Sequence, residues 1–347
     1  MAVTAETLRL VEDLRRRLTT MTDAQTFALT RAWVDAYDVI APEFRIALLE
    51  LMAASKDGTV SRATVAKNLR IRDALQATRS VLDELARTTE VTVVNDVGLA
   101  VMDAIDTHAA VISSQLPANT ATTSVSFTRA PADALAAIVE RTTQQIHSAT
   151  LALPADVERA MKKQLIRGIA VGENPNRTAG RIMDATEQRF NGGLTRALTI
   201  ARTETLDAHR AATKASEKAN KTILDEWEWH AALNARTCPS CWSKHGTRYP
   251  LDVDGPNDHQ NGRCARVSVT KSWADLGFKG IDEPASLTEN AQDVFNNLTP
   301  DTQRAIMGGT RLELLQSGQI KWADLSTVKH TDGWRDSFTV TPVKDLV

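Results

Sequence analysis

All three cysteines of the 347-residue chain lie close together, as Cys238-Pro-Ser-Cys241 followed by Cys264. His259 stands shortly before Cys264. Three thiolates and one imidazole make the four-ligand tetrahedral set that structural zinc sites use, and two cysteines separated by two residues can point both sulfur atoms inward from one tight turn. The spacing therefore predicts a closed Cys3His zinc site that stabilises the local fold.

The histidine ligand is open between three candidates, because His230 and His245 also lie near the cysteines. We prefer His259, since it forms a second paired half-site with Cys264 across the turn residues Asn261-Gly262. The alternative without metal is three free cysteines in a small core. An odd number of clustered cysteines fits reduced thiolates better than a disulfide framework, which is typical of a bacterial cytoplasm.

Two kinds of metal enzyme use similar residues. A cytidine-type deaminase needs His-x-Glu upstream of Pro-Cys-x-x-Cys, and this chain has no such partner for its cysteines. An HNH-type nuclease is closer, because Asp258-His259 followed by Asn261 could present a general base beside a metal. His259 does not easily serve as both zinc ligand and base. We therefore assign no catalytic residue and keep a metal-dependent nuclease as an alternative.

The elements that position the cysteines are predicted to be short strands preceded by a long helix. Trp227, Trp229 and Ala231 alternate with polar residues, and Val267 and Val269 do the same, which is the period of half-buried strands. Before them, residues 194–220 carry a stripe of mostly small residues at helical spacing, which would let another helix approach closely.

The rest of the chain reads as helices separated by turn residues. A capping box at Thr22 to Gln25 precedes apolar residues at helical intervals, and Pro42 is expected to end that helix. Further helices are predicted over 135–151, 156–170 and 179–190, with breaks at 172–175 and 191–193. In the tail, Thr299 reads as an N-cap before Pro300, and Gly308-Gly309 as a stop before a helix over 311–316.

These patterns predict a mainly α fold, with helical N-terminal and central bundles, a small zinc-stapled β unit and a short helical tail. The predicted parts are an N-terminal helical domain (1–114), a Pro, Thr, Ser and Ala-rich linker (115–133), a central helical region (134–225), the zinc-binding β unit (226–272) and the helical tail (273–347).

Composition restricts the partners. The net charge of −2 gives no bulk attraction to nucleic acid or anionic membrane. No apolar run is long enough to span a bilayer, and the first residues lack the apolar core of a signal peptide, so we expect no membrane contact. A helix-turn-helix over residues 61–82 would place Arg62, Lys67, Arg70, Arg72 and Arg79 near phosphates, but Arg70 stands where such turns usually have Gly. A DNA-binding regulator stays an alternative.

One order of motifs goes beyond a zinc prediction. Residues 200–205 read Ile-Ala-Arg-Thr-Glu-Thr, and they are followed by Trp229, by residues 234–241 (Asn-Ala-Arg-Thr-Cys-Pro-Ser-Cys), by Gly246, and by His259 to Cys264. Over residues 155–270 this order resembles the Mu F-like family of head-morphogenesis (minor capsid) proteins of tailed phages. The closing element departs from the family pattern, which has prolines before the histidine and a Cys-Arg-Cys, where this chain has Gly262-Arg263-Cys264.

The resemblance implies a minor protein of the phage head that joins the procapsid near the portal and is made in the host cytoplasm. Its implied partners are the portal and the major capsid or scaffolding protein, with packaged DNA as a further, non-specific contact. Some relatives are fused to a protease or a toxin. We find no Gly-x-Ser-x-Gly in the first 150 residues, and no Ser-Thr-Ser strand before Glu226-Trp-Glu228, so we expect the unfused form.

Overall fold

The computed structural model describes residues 3–53, 68–117, 127–150, 175–331 and 335–346, together with residues 157, 159–161, 163, 164 and 167. Several sequence predictions lie outside these residues: most of the helix over 156–170, the first part of the helix-turn-helix, and the turn before Pro175. Within the described part of the chain, no helix is both long and apolar enough to cross a bilayer.

Long helices dominate the described residues, which confirms the predicted mainly α class. They are α1 (Ala5–Ala53), α2 (Leu69–Ser113), α3 (Ala132–Thr150) and α4 (Pro175–Ala219). The strands β1 (Leu224–His230), β2 (Arg248–Pro250) and β3 (Ala265–Thr270) follow, with the short helix α5 (Pro239–Lys244) after β1. The tail contains α6 (Ala291–Asn296), α7 (Pro300–Met307) and α8 (Gly309–Gln316), then β4 (Ser326–Lys329) and β5 (Ser337–Val340).

Helix α1 corrects two predictions. It begins at Ala5, so Thr22 and Gln25 lie inside it and form no capping box; instead Thr22 O accepts a hydrogen bond from the Thr26 hydroxyl at 2.8 Å. The helix also continues through Pro42, which was expected to end it. A proline removes one helical hydrogen bond, but residues on both sides of it contribute to one buried apolar face, and that packing outweighs the local loss.

Helix α4 is longer than predicted, because it runs through Asn191, Gly192 and Gly193 without a break. The two helices predicted over 179–190 and 194–220 are therefore one. Glycine lowers helix stability by only about 1 kcal/mol, and burial of the stripe around Ala201, Ala208 and Ala212 offsets that cost.

The described chain divides into two compact units that are discontinuous in sequence. One unit consists of Met21–Asp96 and Glu140–Thr205. Its core contains Trp33, Ile40 and Leu82, which are nearly inaccessible to solvent. Arg202 of the Ala-Arg-Thr-Glu segment donates to the Thr26 hydroxyl at 2.9 Å within this unit, and Glu204 is buried.

The other unit consists of Met1–Thr20, Val97–Val139 and Leu206–Val347, and it contains the cysteines. Its sheet has the order β2-β1-β3, with both pairs antiparallel. The two predicted strands are confirmed as β1 and β3, but neither is half-buried as expected: residues 227–230 of β1 and all of β3 are buried. On the edge of β3, Gln115 bonds Ser268 O and Thr270 N through its side-chain amide, at 2.7 and 3.2 Å.

The helix Pro300–Met307 of the tail begins and ends at the predicted capping residues. The Thr299 hydroxyl accepts from Thr302 N at the start of α7, and Gly308 ends that helix with a φ of 74°, a left-handed conformation that glycine adopts without strain. The tail packs around Trp242 of α5 through Phe295 and Met307. The sequence patterns did not predict the β4–β5 pair.

Candidate metal centre

Cys238 and Cys241 lie at the first turn of α5. Cys238 is the N-cap residue, Pro239 occupies the first helical position, and the backbone N–H of Cys241 donates to Cys238 Sγ at 3.4 Å. The cysteine pair was predicted on a tight turn, and the structure shows that this turn opens a helix. An N–H donor aimed at sulfur favours the thiolate, which is the form that binds metal. A hydrogen bond with the Cys241 side chain lowers the pKa of Cys238 to about 4.

The structure brings the cysteine cluster, which we define as Cys238, Cys241, His259 and Cys264, together in two overlapping groups. The ligand atoms of Cys238, Cys241 and His259 lie within 4.8 Å of one another, and those of Cys241, Asp258 and Cys264 do the same. Cys241 belongs to both groups. Thiolates with imidazole are the donors that tetrahedral metal sites use, so this group could hold a metal ion.

Among the three candidate histidines, the described structure places His259 beside the paired cysteines. Its Nδ1 contacts the carbonyl of Gln260 at 2.8 Å, and a hydrogen bond with Cys238 raises its pKa to about 9. His230 instead bonds Glu228 Oε1 through Nε2 at 2.6 Å, and His245 Nδ1 accepts from Ala231 N at 3.0 Å. His230 and His245 therefore have other partners.

Arg210 of α4 holds the closing loop of the cluster. It donates from Nη1 and Nη2 to the two carboxylate oxygens of Asp258, at 2.8 and 2.9 Å, and from Nη2 to the carbonyls of Gly262 and Cys264 at 3.0 and 2.9 Å. Asp258 is fully buried and also accepts from Cys264 N at 3.1 Å. Such a bidentate, fully hydrogen-bonded pair fixes the loop and satisfies both buried charges.

Gly262 explains where the closing element departs from the Mu F-like pattern. A Cβ atom at this position would lie 2.2 Å from Asp258 Cγ, which no real contact allows. Glycine therefore makes room for the Asp258 carboxylate where a cysteine would precede Arg263. Compared with the Cys-Arg-Cys pattern, the closing loop has one cysteine, Cys264, in place of two.

The cluster packs beneath the aromatic face of the sheet. Trp227 and Trp229 of β1 share a buried apolar cluster with Cys241 and Cys264. Trp227 stacks on Tyr249 with ring centroids 4.6 Å apart, and the Arg266 guanidinium lies 4.3 Å from the Trp227 ring. These apolar and aromatic side chains shield Cys241 and Cys264, whereas Cys238 and His259 are partly exposed.

Glu228 forms a second polar group on β1, apart from the cysteine cluster. Its carboxylate accepts from the Thr288 hydroxyl at 2.7 Å and from Arg248 Nε at 2.9 Å, in addition to the contact with His230. Burial alone would raise the pKa of this carboxyl group, but the hydrogen bonds with His230, Thr288 and Arg248 lower it to about 2. Glu228 is therefore a structural anion.

A buried hydrogen-bonded chain crosses from α2 to β3. His108 contacts the hydroxyls of Ser216 and Ser268 with its two ring nitrogens, each at 2.7 Å, and the Ser268 hydroxyl donates to Glu217 at 2.7 Å. Glu217 also accepts from Arg266 Nε at 2.8 Å. Burial lowers the pKa of His108 to about 3, so its ring is neutral. Because the Ser268 hydroxyl donates its one hydrogen to Glu217, it accepts from His108 Nε2. These hydrogen bonds fix the position of β3, the strand that begins immediately after Cys264.

The nuclease alternative finds no support in this geometry. Both carboxylate oxygens of Asp258 accept from Arg210, and His259 forms a hydrogen bond with Cys238. Sequence patterns did not predict the pairing of Arg210 with Asp258, because the two residues are distant in sequence and neither belongs to a local motif that indicates a partner. The clash that any side chain at Gly262 would produce appears only in three dimensions.

Comparison with known proteins is consistent with these motifs. The family model described as Phage Mu protein F like protein matches residues 159–267, a range that contains the Ala-Arg-Thr-Glu segment, β1, β2, the start of β3 and the cysteine cluster. No curated protein and no solved structure matches the chain. Over residues 159–267, this match confirms the predicted resemblance to the Mu F-like family.

Proposed function

We propose that this protein is a minor head protein of a tailed bacteriophage, which joins the procapsid near the portal and assists head assembly. The observation that carries the proposal is the family match over residues 159–267, which includes both the helix that bears Arg210 and the loop that it holds. The protein acts by binding and not by catalysis. Its partners are the portal and the major capsid or scaffolding protein, and it remains in the virion head.

We further propose that the cysteine cluster binds one structural zinc ion through Cys238, Cys241, His259 and Cys264. Asp258 is the competing ligand, since it lies within reach of Cys241 and Cys264. Both of its oxygens are held by Arg210, however, and a metal ligand there would leave a buried guanidinium without its anion. His259 does not neutralise a buried charge in this way, so we propose it as the fourth zinc ligand.

The zinc ion would join two segments that have little regular structure of their own. Cys238 and Cys241 belong to the first turn of the six-residue helix α5, and His259 and Cys264 belong to the loop before β3. Binding to four protein ligands leaves no open position for a substrate. The ion therefore stabilises the fold of the family-matched segment, and surfaces elsewhere on the protein contact the head.

Quantitative mass spectrometry of purified phage particles and of DNA-free heads tests the proposed function. We expect the protein in both, at fewer copies than the major capsid protein and with a fixed ratio to the portal. Cross-linking of intact DNA-free heads should connect it to the portal. Absence of the protein from both kinds of particle would contradict the proposal.

A further inference from the structure

A small cavity that opens to solvent lies between α1, α4 and the start of β3. Leucines of α1 and α4 form its apolar wall, and Arg15, Arg210, Arg263 and Arg266 contribute its polar wall. Among the described residues that line it, none is an aspartate or a glutamate. The cavity therefore combines an apolar surround with arginine side chains.

Two of these arginines are already neutralised. Arg210 is paired with Asp258, and Arg266 Nη2 lies 2.7 Å from Glu217 Oε2 in a pair that is almost completely buried. Their positive charges are matched by carboxylates that lie outside the cavity wall. They contribute shape to the cavity and little net charge.

Arg15 is different. Its Nε and Nη2 atoms are both buried, and neither has a hydrogen-bond partner among the described residues. Burial lowers the pKa of Arg15, and the charges of Cys264 and Glu12 oppose that effect. Burying guanidinium N–H groups without hydrogen-bond acceptors costs free energy. A bound ligand that supplied acceptors to Arg15 Nε and Nη2 would remove that cost.

We propose that this cavity binds a small oxyanion of the phosphate class through Arg15. A tetrahedral oxyanion supplies acceptors to the two unpartnered N–H groups, and the planar guanidinium fork matches two oxygens of such a group. The low-polarity leucine wall strengthens that interaction. The site requires no metal ion, so it does not depend on the proposed zinc centre, although Cys264 lies on its wall.

The same phosphate chemistry has two sources, a free inorganic anion and the backbone of a nucleic acid. Calorimetric titration of inorganic phosphate into the full-length protein, in a low-chloride buffer without other oxyanions, measures the first. A parallel titration with a short DNA duplex, with and without saturating phosphate, measures the second. Displacement of phosphate by the duplex assigns the site to nucleic acid, and phosphate binding that the duplex leaves unchanged assigns it to a free anion.

Three variants connect binding to the cavity. Arg15→Met keeps the length of the side chain and removes its charge, so phosphate affinity should fall roughly tenfold to hundredfold. Arg15→Lys keeps the charge without the fork and should recover part of the affinity. Arg16→Met is the matched control: Arg16 is 72% exposed and pairs with Asp13, so its loss should leave phosphate binding unchanged.

Circular dichroism and metal content of each variant show whether it is folded. If Arg15→Met misfolds, the comparison of wild type, Arg15→Lys and Arg16→Met decides the proposal. Either of two results would overturn it: no binding of phosphate or duplex by the wild type, or equal binding by wild type and Arg15→Lys. Loss of metal from Arg15→Met without any phosphate binding by the wild type would instead assign Arg15 to charge balance at Cys264, and it would overturn the proposal as well.

Discussion

Replacing Asp258 by asparagine removes the anion that holds the closing loop of the cysteine cluster. The carboxylate accepts from two nitrogens of Arg210 and from Cys264 N, at 2.8, 2.9 and 3.1 Å. An amide has one oxygen acceptor, so its NH2 group must face one of these donors. The substitution therefore loses charge-assisted hydrogen bonds and brings two donors together in a fully buried position.

The magnitude follows from burial. Breaking a buried ion pair by removing one partner costs about 3–5 kcal/mol, because the remaining charge is uncompensated. Asp207 also accepts from Arg210 at 2.8 Å and partly compensates it, so we expect the lower end, about 3 kcal/mol. Urea unfolding of the metal-loaded protein measures this value, with tryptophan fluorescence reporting on Trp227 and Trp229 next to the cluster.

A matched control separates burial from charge. Asp254 also forms an ion pair, with Lys214 at 2.6 Å, but it is 78% exposed, and Asp254→Asn should change the unfolding free energy by less than about 1 kcal/mol. The double variant Arg210→Met/Asp258→Asn should cost less than the sum of the two single changes, by at least about 1 kcal/mol. Equal effects of Asp258→Asn and Asp254→Asn would refute the reasoning.

Three further predictions follow from the same region. Cys238→Ser removes one thiolate, so we expect loss of bound zinc and faster hydrogen exchange across residues 227–269; wild-type melting that is unchanged by chelation would contradict this. Gly262→Ala places Cβ against the Asp258 carboxylate and should cost about 1–3 kcal/mol in urea unfolding, and wild-type stability would show that the loop relaxes freely. Glu228 has a pKa of about 2 against an ordinary 4.5, so its stabilisation is present above 4.5 and is lost as the pH falls toward 2. The difference in unfolding free energy between wild type and Glu228→Gln should shrink over that window, and a difference that is independent of pH would count against the assignment.

Local signals in the sequence predicted the elements whose causes are local. The Thr299 cap, the Gly308 stop and the alternation of Trp227 and Trp229 each depend on neighbouring residues, and the structure has the elements that they predict. The cysteine spacing likewise predicted that Cys238, Cys241 and His259 would meet. That a metal binds there stays a prediction.

Local helix-breaking residues gave wrong predictions where tertiary packing favours a continuous helix. Pro42 and Gly192-Gly193 are helix breakers in isolation, but each lies within a helix longer than forty residues whose buried face continues on both sides. The pairing of Arg210 with Asp258 was also beyond local reasoning, because an arginine on a helix and an aspartate in a loop are both commonplace. Only the fold brings them together.

The His108 chain has a consequence for exchange of the family-matched segment. The family model matches residues 159–267, and the Ser216 hydroxyl within that segment is bonded by His108 of α2, which lies outside it, as does the second partner of His108, Ser268. Gln115, also outside it, occupies the open edge of β3. Exchange of the matched segment alone would replace Ser216 and the first three residues of β3, and it would leave His108, Gln115 and the rest of β3 unchanged. The structural unit that holds β3 therefore includes the end of α2 and is larger than the stretch that the family model matches.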